Sequence, residues 1–174
     1  MKKTLLMILS VFSFFSSCVL PESEKEEVGL KPIYTSEADA FTIAVQGEQN
    51  MVSPGKIYIY NNYLFVNEKG KGIHVINNAN PSAPNKFAFI SIPGNYDLAV
   101  SGNVMYVDNF TDIVALNISD VNNITVLKRI EDVIKATNYM SPENYTGYFE
   151  CVDSTKGYVI GWEEANLVNP KCYK

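Results

Sequence analysis

Lys56-Ile57-Tyr58-Ile59-Tyr60-Asn61-Asn62-Tyr63-Leu64-Phe65-Val66-Asn67 superposes, 41 residues later, on Asp97-Leu98-Ala99-Val100-Ser101-Gly102-Asn103-Val104-Met105-Tyr106-Val107-Asp108. The match continues outward. Gly72-Ile73-His74-Val75-Ile76-Asn77 falls on Asp112-Ile113-Val114-Ala115-Leu116-Asn117 forty residues on, and Asn80-Pro81-Ser82 lands on Asp120-Val121-Asn122. After an insertion at 131–147 a weaker third copy follows, Val152-Asp153 and then Gly157-Tyr158-Val159-Ile160-Gly161-Trp162. Within each copy apolar and polar residues alternate with period two, which predicts strands at 56–60, 63–68, 72–77, 86–92, 97–101, 104–108, 112–118 and 124–130. Asn61-Asn62 and Gly102-Asn103 have the residue types that tolerate the positive φ of two-residue hairpin turns. The fold class is therefore all-β, in antiparallel, blade-like sheets of about 40 residues and four strands each, the repeat length of a propeller blade. A short helix or coil over 131–139 is the one exception expected.

Leu64-Phe65-Val66-Asn67, Gly72-Ile73-His74-Val75-Ile76-Asn77 and Asn80-Pro81-Ser82-Ala83-Pro84, with Met105-Tyr106-Val107-Asp108, Ile113 to Asn117 and Ser119-Asp120 in the second copy, resemble the LVIVD repeat. That family consists of propeller-type repeats in secreted bacterial and archaeal proteins. The resemblance covers about 55–130 well and 148–163 loosely, and implies surface location and an adhesive role more than a chemistry. On this plan Ile57, Ile59, Leu64, Val66, Ile73, Val75, Leu98, Val100, Val107 and Ile113 fill the spaces between blades. Pro81 and Pro84 end strand pairing because proline lacks the ladder N–H. Asn67, Asp108 and Asp153 recur at one position of each copy. They are expected to satisfy turn N–H groups, the competing reading being a ring of oxygen ligands for calcium.

Length constrains this architecture. The chain has 174 residues, room for two to three blades, whereas closed propellers have roughly four to eight. Three solutions remain, a partial propeller that dimerises, a small open sandwich of two or three twisted sheets, or a shortened relative of longer surface propellers; a small monomeric or dimeric β domain of two to three blades is expected, with the N-terminal segment, including Phe41 to Val45, covering one sheet edge.

The N-terminus reads as an export signal. Lys2 and Lys3 precede an apolar run from Leu5 to Phe15, too short for the roughly 20 residues of a permanent span. Ser16-Ser17-Cys18 resembles the lipobox of bacterial lipoproteins, with Phe15 where Leu is usual, as in lipoproteins of the Bacteroidetes. The resemblance implies cleavage of a signal peptide at 1–17 and lipidation of Cys18. Residues 18–32, with Glu22, Glu24, Glu26 and Glu27, read as an acidic tether, and resemble the signal that sends such lipoproteins to the outer cell surface. The β-repeat domain with its C-terminal extension then occupies 33–174. Losing Lys2 and Lys3 takes the net charge from -5 to about -7, which argues against nucleic acid as a partner. The membrane is reached through lipid, and the location expected is the bacterial outer membrane, facing the cell surface or the periplasm.

With Cys18 lipidated, Cys151 and Cys172 remain as an even pair, either a disulfide closing a loop of about 20 residues or two free thiols. One His and two Cys fall short of a zinc site; no metal and no cofactor is expected. No G-x-S-x-G, H-E-x-x-H or phosphate-binding glycine loop is present in the sequence, and no catalytic residue is assigned. His74 is expected on the polar face of its strand. Asp153-Ser154-Thr155 resembles the O-glycosylation sequon of Bacteroidetes, which implies modification of Ser154. The function expected is a surface binding, adhesion or scaffold module for a protein or glycan, without catalysis. The alternative is a small envelope-glycan hydrolase or lyase using Asp97, Asp108 or Asp112.

Overall fold

The computed structural model describes residues 24–135 and 140–174; the signal segment 1–17 and Cys18 lie outside the described residues. Among the described residues thirteen strands make three sheets, none closed into a barrel. The repeat is realised as two meanders of identical order. In the first, β3 (Pro54–Tyr60), β4 (Tyr63–Glu68), β5 (Gly72–Asn77) and β6 (Asn85–Ser91) pair antiparallel in sequence. In the second, β7 (Leu98–Ser101), β8 (Val104–Asn109), β9 (Asp112–Asn117) and β10 (Thr125–Ile130) do the same. Their first hairpins turn at Asn61, φ 51°, and at Gly102, φ 56°, the left-handed conformation that asparagine and glycine reach most easily. Even the irregularity repeats, since Phe87 in β6 and Leu127 in β10, forty residues apart, are skipped by the ladder as bulges.

The two sheets face one another across the main core. From the first come Phe65, Ile73, Val75, Ala88 and Ile90, and from the second Leu98, Met105, Val107, Val114 and Leu116, with Ile92 and Ile118 at the connections. Full burial of each large side chain is worth about 1.5–3 kcal/mol. Tyr58 and Tyr60 complete the contact, their hydroxyls donating to the Val100 carbonyl at 3.0 Å and to Asn103 Oδ1 at 2.8 Å. Ile57 and Ile59 do not fill the space between sheets. They alternate with these tyrosines, so the pairing that turns the phenols inward turns the isoleucines out, leaving them 62% and 70% exposed.

The edge strand expected near Phe41 to Val45 is present as β2 (Ala44–Gln46), which pairs with β6 and extends the first sheet to five strands. Before it lies one helical turn, α1 (Glu37–Ala40), capped by Ser36, whose Oγ accepts from Asp39 N. Residues 131–135 are irregular and 136–139 lie outside the described residues, so no helix stands at 131–135.

The third sheet departs from the repeat. Its order is β12-β1-β11-β13, with β1 at Glu26–Thr35, β11 at Tyr148–Phe149, β12 at Tyr158–Val168 and β13 at Cys172–Tyr173. The weak third copy is thus one long strand, and its partner comes from the other end of the chain: Glu26 to Thr35 pair antiparallel with Val168 to Tyr158. The acidic segment given to a tether, 18–32, is therefore ordered strand from Glu26 onward. Val28 and Leu30 alternate with its charged residues, and Lys31 meets Glu163 at 3.0 Å across the ladder. Glu26, Val28 and Lys31 are all exposed along this strand. β1 also carries the molecule's parallel pairing, Leu30 with Phe149. Gly29 is required beside it, because a Cβ there would collide with the Tyr148 carbonyl and the Leu167 side chain.

Candidate functional site

Two N-cap side chains, one hydroxyl and one carboxylate, stand beside one open cleft. Ser36 caps α1, and Asp153 caps the 3-10 turn Ser154–Lys156, accepting from Thr155 N at 3.0 Å and Thr155 Oγ1 at 2.6 Å. The caps fix two neighbouring loops, at the paired ends of β1 and β12 (Thr35 with Tyr158), beside a cleft of about 630 Å³. Its lining includes Ser36, Glu37, Thr111, Met140, Ser154, Thr155, Lys156 and Tyr158. Two aromatic rings line it, Tyr158 tilted against Phe110 at 5.2 Å between centroids, and Tyr158 also stands edge-on to Phe41 at 5.0 Å. Burial first, then the negative charges of Glu37, Asp112 and Asp132, hold the Tyr158 phenol above its ordinary pKa. It is a neutral donor and acceptor at physiological pH. The rim supplies hydroxyls from Ser36, Thr111, Ser154 and Thr155, one carboxylate from Glu37 and one ammonium from Lys156. Such a surface can stack and hydrogen-bond.

Ser154, singled out for modification, lies exposed on this rim. Cys151 and Cys172 are joined, with Cα atoms 5.3 Å apart, so the pair is a disulfide and not two free thiols. It clamps β13 to the end of β11, just before the loop that carries Asp153 and Ser154.

The rim carboxylates are scattered and engaged. Asp97 is exposed and pairs with Lys56 at 2.8 Å. Asp108 accepts from Tyr96 N and Asp97 N at 2.9 Å each and from Asn95 Nδ2 at 2.6 Å; burial pushes its carboxyl above the usual range, against the pull of those N–H groups. Asp112 is buried and held by Arg129 Nη1 at 2.7 Å. Asp108 and Asp153 accept from turn N–H groups as expected, whereas Asn67 does not: it only donates, and its Oδ1 is buried without a partner. Asn67 Nδ2 donates to Asn95 Oδ1 at 2.6 Å, so one buried amide, Asn95, ties the recurring positions of both copies together. Among the described residues no group of three His, Cys, Asp or Glu is placed to hold a metal ion.

His74 is not on a polar face. It is 1% exposed, packed on Phe89 at 4.9 Å, with Nε2 3.0 Å from Glu68 Oε2. Glu68 also accepts from the backbone N–H of Val52 and Ser53. Burial alone would push the Glu68 carboxyl up, but Ser53 N–H, His74 and Val52 N–H outweigh it and hold the carboxyl below its ordinary value. An ionised carboxylate only accepts, so Nε2 carries the proton it donates. Sequence reading missed Glu68, Asn95 and Arg129. A signal existed for the first: Glu68 pairs Gly72 and Val66 pairs His74, so 68 and 74 are diagonal neighbours on one sheet face. Comparison with protein-family models, curated proteins and solved structures finds no match.

Proposed function

We propose that this protein is a non-catalytic binding module of the cell surface, anchored in the outer membrane by lipid on Cys18, whose cleft around Tyr158 takes a glycan. The observation that carries the reading is the cleft, lined by the aromatic pair Tyr158 and Phe110 and by four hydroxyl side chains. A largely apolar floor with a few convergent polar groups suits a small polyhydroxylated ligand, whose hydroxyls exchange hydrogen bonds with the rim. The reading of the two meanders as LVIVD-type blades rests on their shared strand order and shared bulge. Turnover finds little support in the rim carboxylates, since Asp108 and Asp112 are both spent on internal partners.

The test has an anchoring arm and a binding arm. Cys18→Ala is expected to release the protein from membranes, and the wild type on intact cells to be cut by added protease; retention on membranes after the substitution refutes the anchor, and protection from protease puts the protein on the periplasmic face. On a glycan array the protein is expected to bind without consuming its ligand, and Tyr158→Ala to weaken binding at least tenfold. Unchanged binding by Tyr158→Ala refutes the cleft. Turnover lost in Asp108→Asn would replace binding with hydrolysis.

A further inference from the structure

The cleft beside Ser36 and Asp153 has two charged side chains in its lining, Glu37 and Lys156. They are not equally free. Lys156 Nζ lies 3.5 Å from Glu150 Oε1 and 5.7 Å from the centroid of the Tyr34 ring, so its charge is already matched. Arg129, another cation of this region, spends its guanidinium on Asn109, Asp112 and the Phe41 carbonyl. On the acidic side Asp39 is committed to the cap, accepting from Ser36 Oγ at 2.7 Å. Glu37 is exposed in the first turn of α1, and among the described residues its carboxylate has no ion pair and no hydrogen-bond donor. Burial, then Glu37, then Asp112 and Asp132, raises the pKa of the Tyr158 phenol, so the charges that act on that ring are all carboxylates. The cleft thus holds an unmatched negative charge beside an aromatic ring and four hydroxyl side chains.

We propose that the glycan taken by this cleft carries a free amino group, an amino sugar whose ammonium is received by Glu37. The inference rests on the reading of the cleft as a glycan site and adds the charge of its ligand. An ammonium only donates and an ionised carboxylate only accepts, so the two complete each other where the protein leaves Glu37 without a donor. Such a charge-assisted hydrogen bond is stronger than a neutral one. Tyr158, half-buried beside it, adds the attraction of an aromatic ring for a cation. The sugar hydroxyls keep the partners already given, Ser36, Thr111, Ser154 and Thr155. Acetylating the same nitrogen leaves the sugar ring and its hydroxyls unchanged but replaces the cation by a neutral amide. Glu37 then faces an uncharged group, and the cleft discriminates amino from acetamido sugars. A glycan bearing carboxylates or sulfates meets Glu37 as a like charge and is disfavoured.

Calorimetric titration of the full-length chain in mild detergent tests this with two ligands, a short chain of glucosamine and its fully N-acetylated counterpart of the same length, which differ only at nitrogen. The amine form is expected to bind about tenfold tighter at low salt, with the margin shrinking as ionic strength rises. Glu37→Gln is expected to remove that margin and to leave the affinity for the acetylated form where it was, which also shows that the variant is folded. Tyr158→Ala is expected to weaken both forms. Equal affinity of the wild type for the two forms, or a margin that survives Glu37→Gln, overturns the proposal and leaves the glycan site standing. Binding of neither form overturns it as well, and the glycan array then decides whether any sugar enters the cleft. An oligolysine of the same charge supplies the cation without the sugar. If it binds as tightly as the glucosamine chain and loses affinity in Glu37→Gln, the cleft takes cations of any kind and the assignment to an amino sugar fails.

Discussion

The two meanders share strand order, the first hairpin turn and a bulge, yet corresponding residues meet different ends. Leu98 is 1% exposed and its counterpart Ile57 is 62% exposed. The difference lies not in the residues but in what precedes each sheet. The second sheet has the first to lean on, and the first has no meander before it within the described residues. A repeat thus specifies local structure in every copy alike, while burial is specified by the neighbour.

That comparison breaks most visibly at its apolar positions. Leu98→Ala empties a filled site in the main core and is expected to cost about 3–5 kcal/mol. Ile57→Ala, the corresponding change, removes a side chain already in water and is expected to fall within about 0.5 kcal/mol. Urea unfolding of the two variants measures both. Equal losses would mean that Ile57 is covered in solution.

A second contrast separates the meanders from the sheet built by the chain ends. The meanders are stitched by adjacent strands, whereas β11 and β13 contribute two residues each and depend on the Cys151–Cys172 bond. Closing a loop of 21 residues removes denatured-state freedom worth about 3 kcal/mol on the chain-entropy model. The double variant Cys151→Ser/Cys172→Ser is expected to lose that amount in thermal or urea unfolding. Faster amide exchange at Phe149 and Tyr173 than in β4 or β8 would place the loss in the third sheet. Uniform acceleration would show that this sheet unfolds with the rest.

These contrasts also explain how far the sequence could be read. Period-two alternation and the Asn61 and Gly102 turns mark eight strands, because those signals are local. The inward phase of β3 was not legible: Ile57 and Ile59 look like core residues by type, and only the tyrosine contacts with Val100 and Asn103 decide the phase. β1 was hidden because half of its residues face solvent and its partner strand lies more than 120 residues away. The cysteine pair was legible by elimination. The cleft was not, since Ser36, Thr111 and Tyr158 come from three separate segments and share no spacing.

The finest contrast is between the buried polar groups that fix the connections to the two sheets. In the second sheet Asn109, at the position of Glu68, donates to the Pro93 carbonyl at 2.7 Å, and Arg129 Nη1 bridges Asn109 at 2.8 Å and Asp112. In the first sheet the same place holds an acceptor, Glu68, clasping the N–H groups of Val52 and Ser53 with His74 behind it. Glu68→Gln keeps the shape but removes the charge that all three donors share. Hydrogen bonds to a charged group contribute about 1.5–3 kcal/mol, so a loss of about 2 kcal/mol is expected at pH 7. The pH dependence identifies the cause. Because the folded carboxyl is held below its ordinary value of 4.5, the wild type keeps this stabilisation in full above that pH and loses it as pH falls through the lower, folded value. Glu68→Gln should therefore differ most from the wild type at neutral pH and converge on it in acid, measured by urea midpoints from pH 7 downward. A gap of constant size would mean that Gln disturbs packing around Phe89 instead of removing a charge. Replacing Asn109 by Asp provides the mirror experiment: a carboxylate that faces the Pro93 carbonyl is an acceptor meeting an acceptor, and is expected to destabilise the second sheet at neutral pH even with Arg129 beside it.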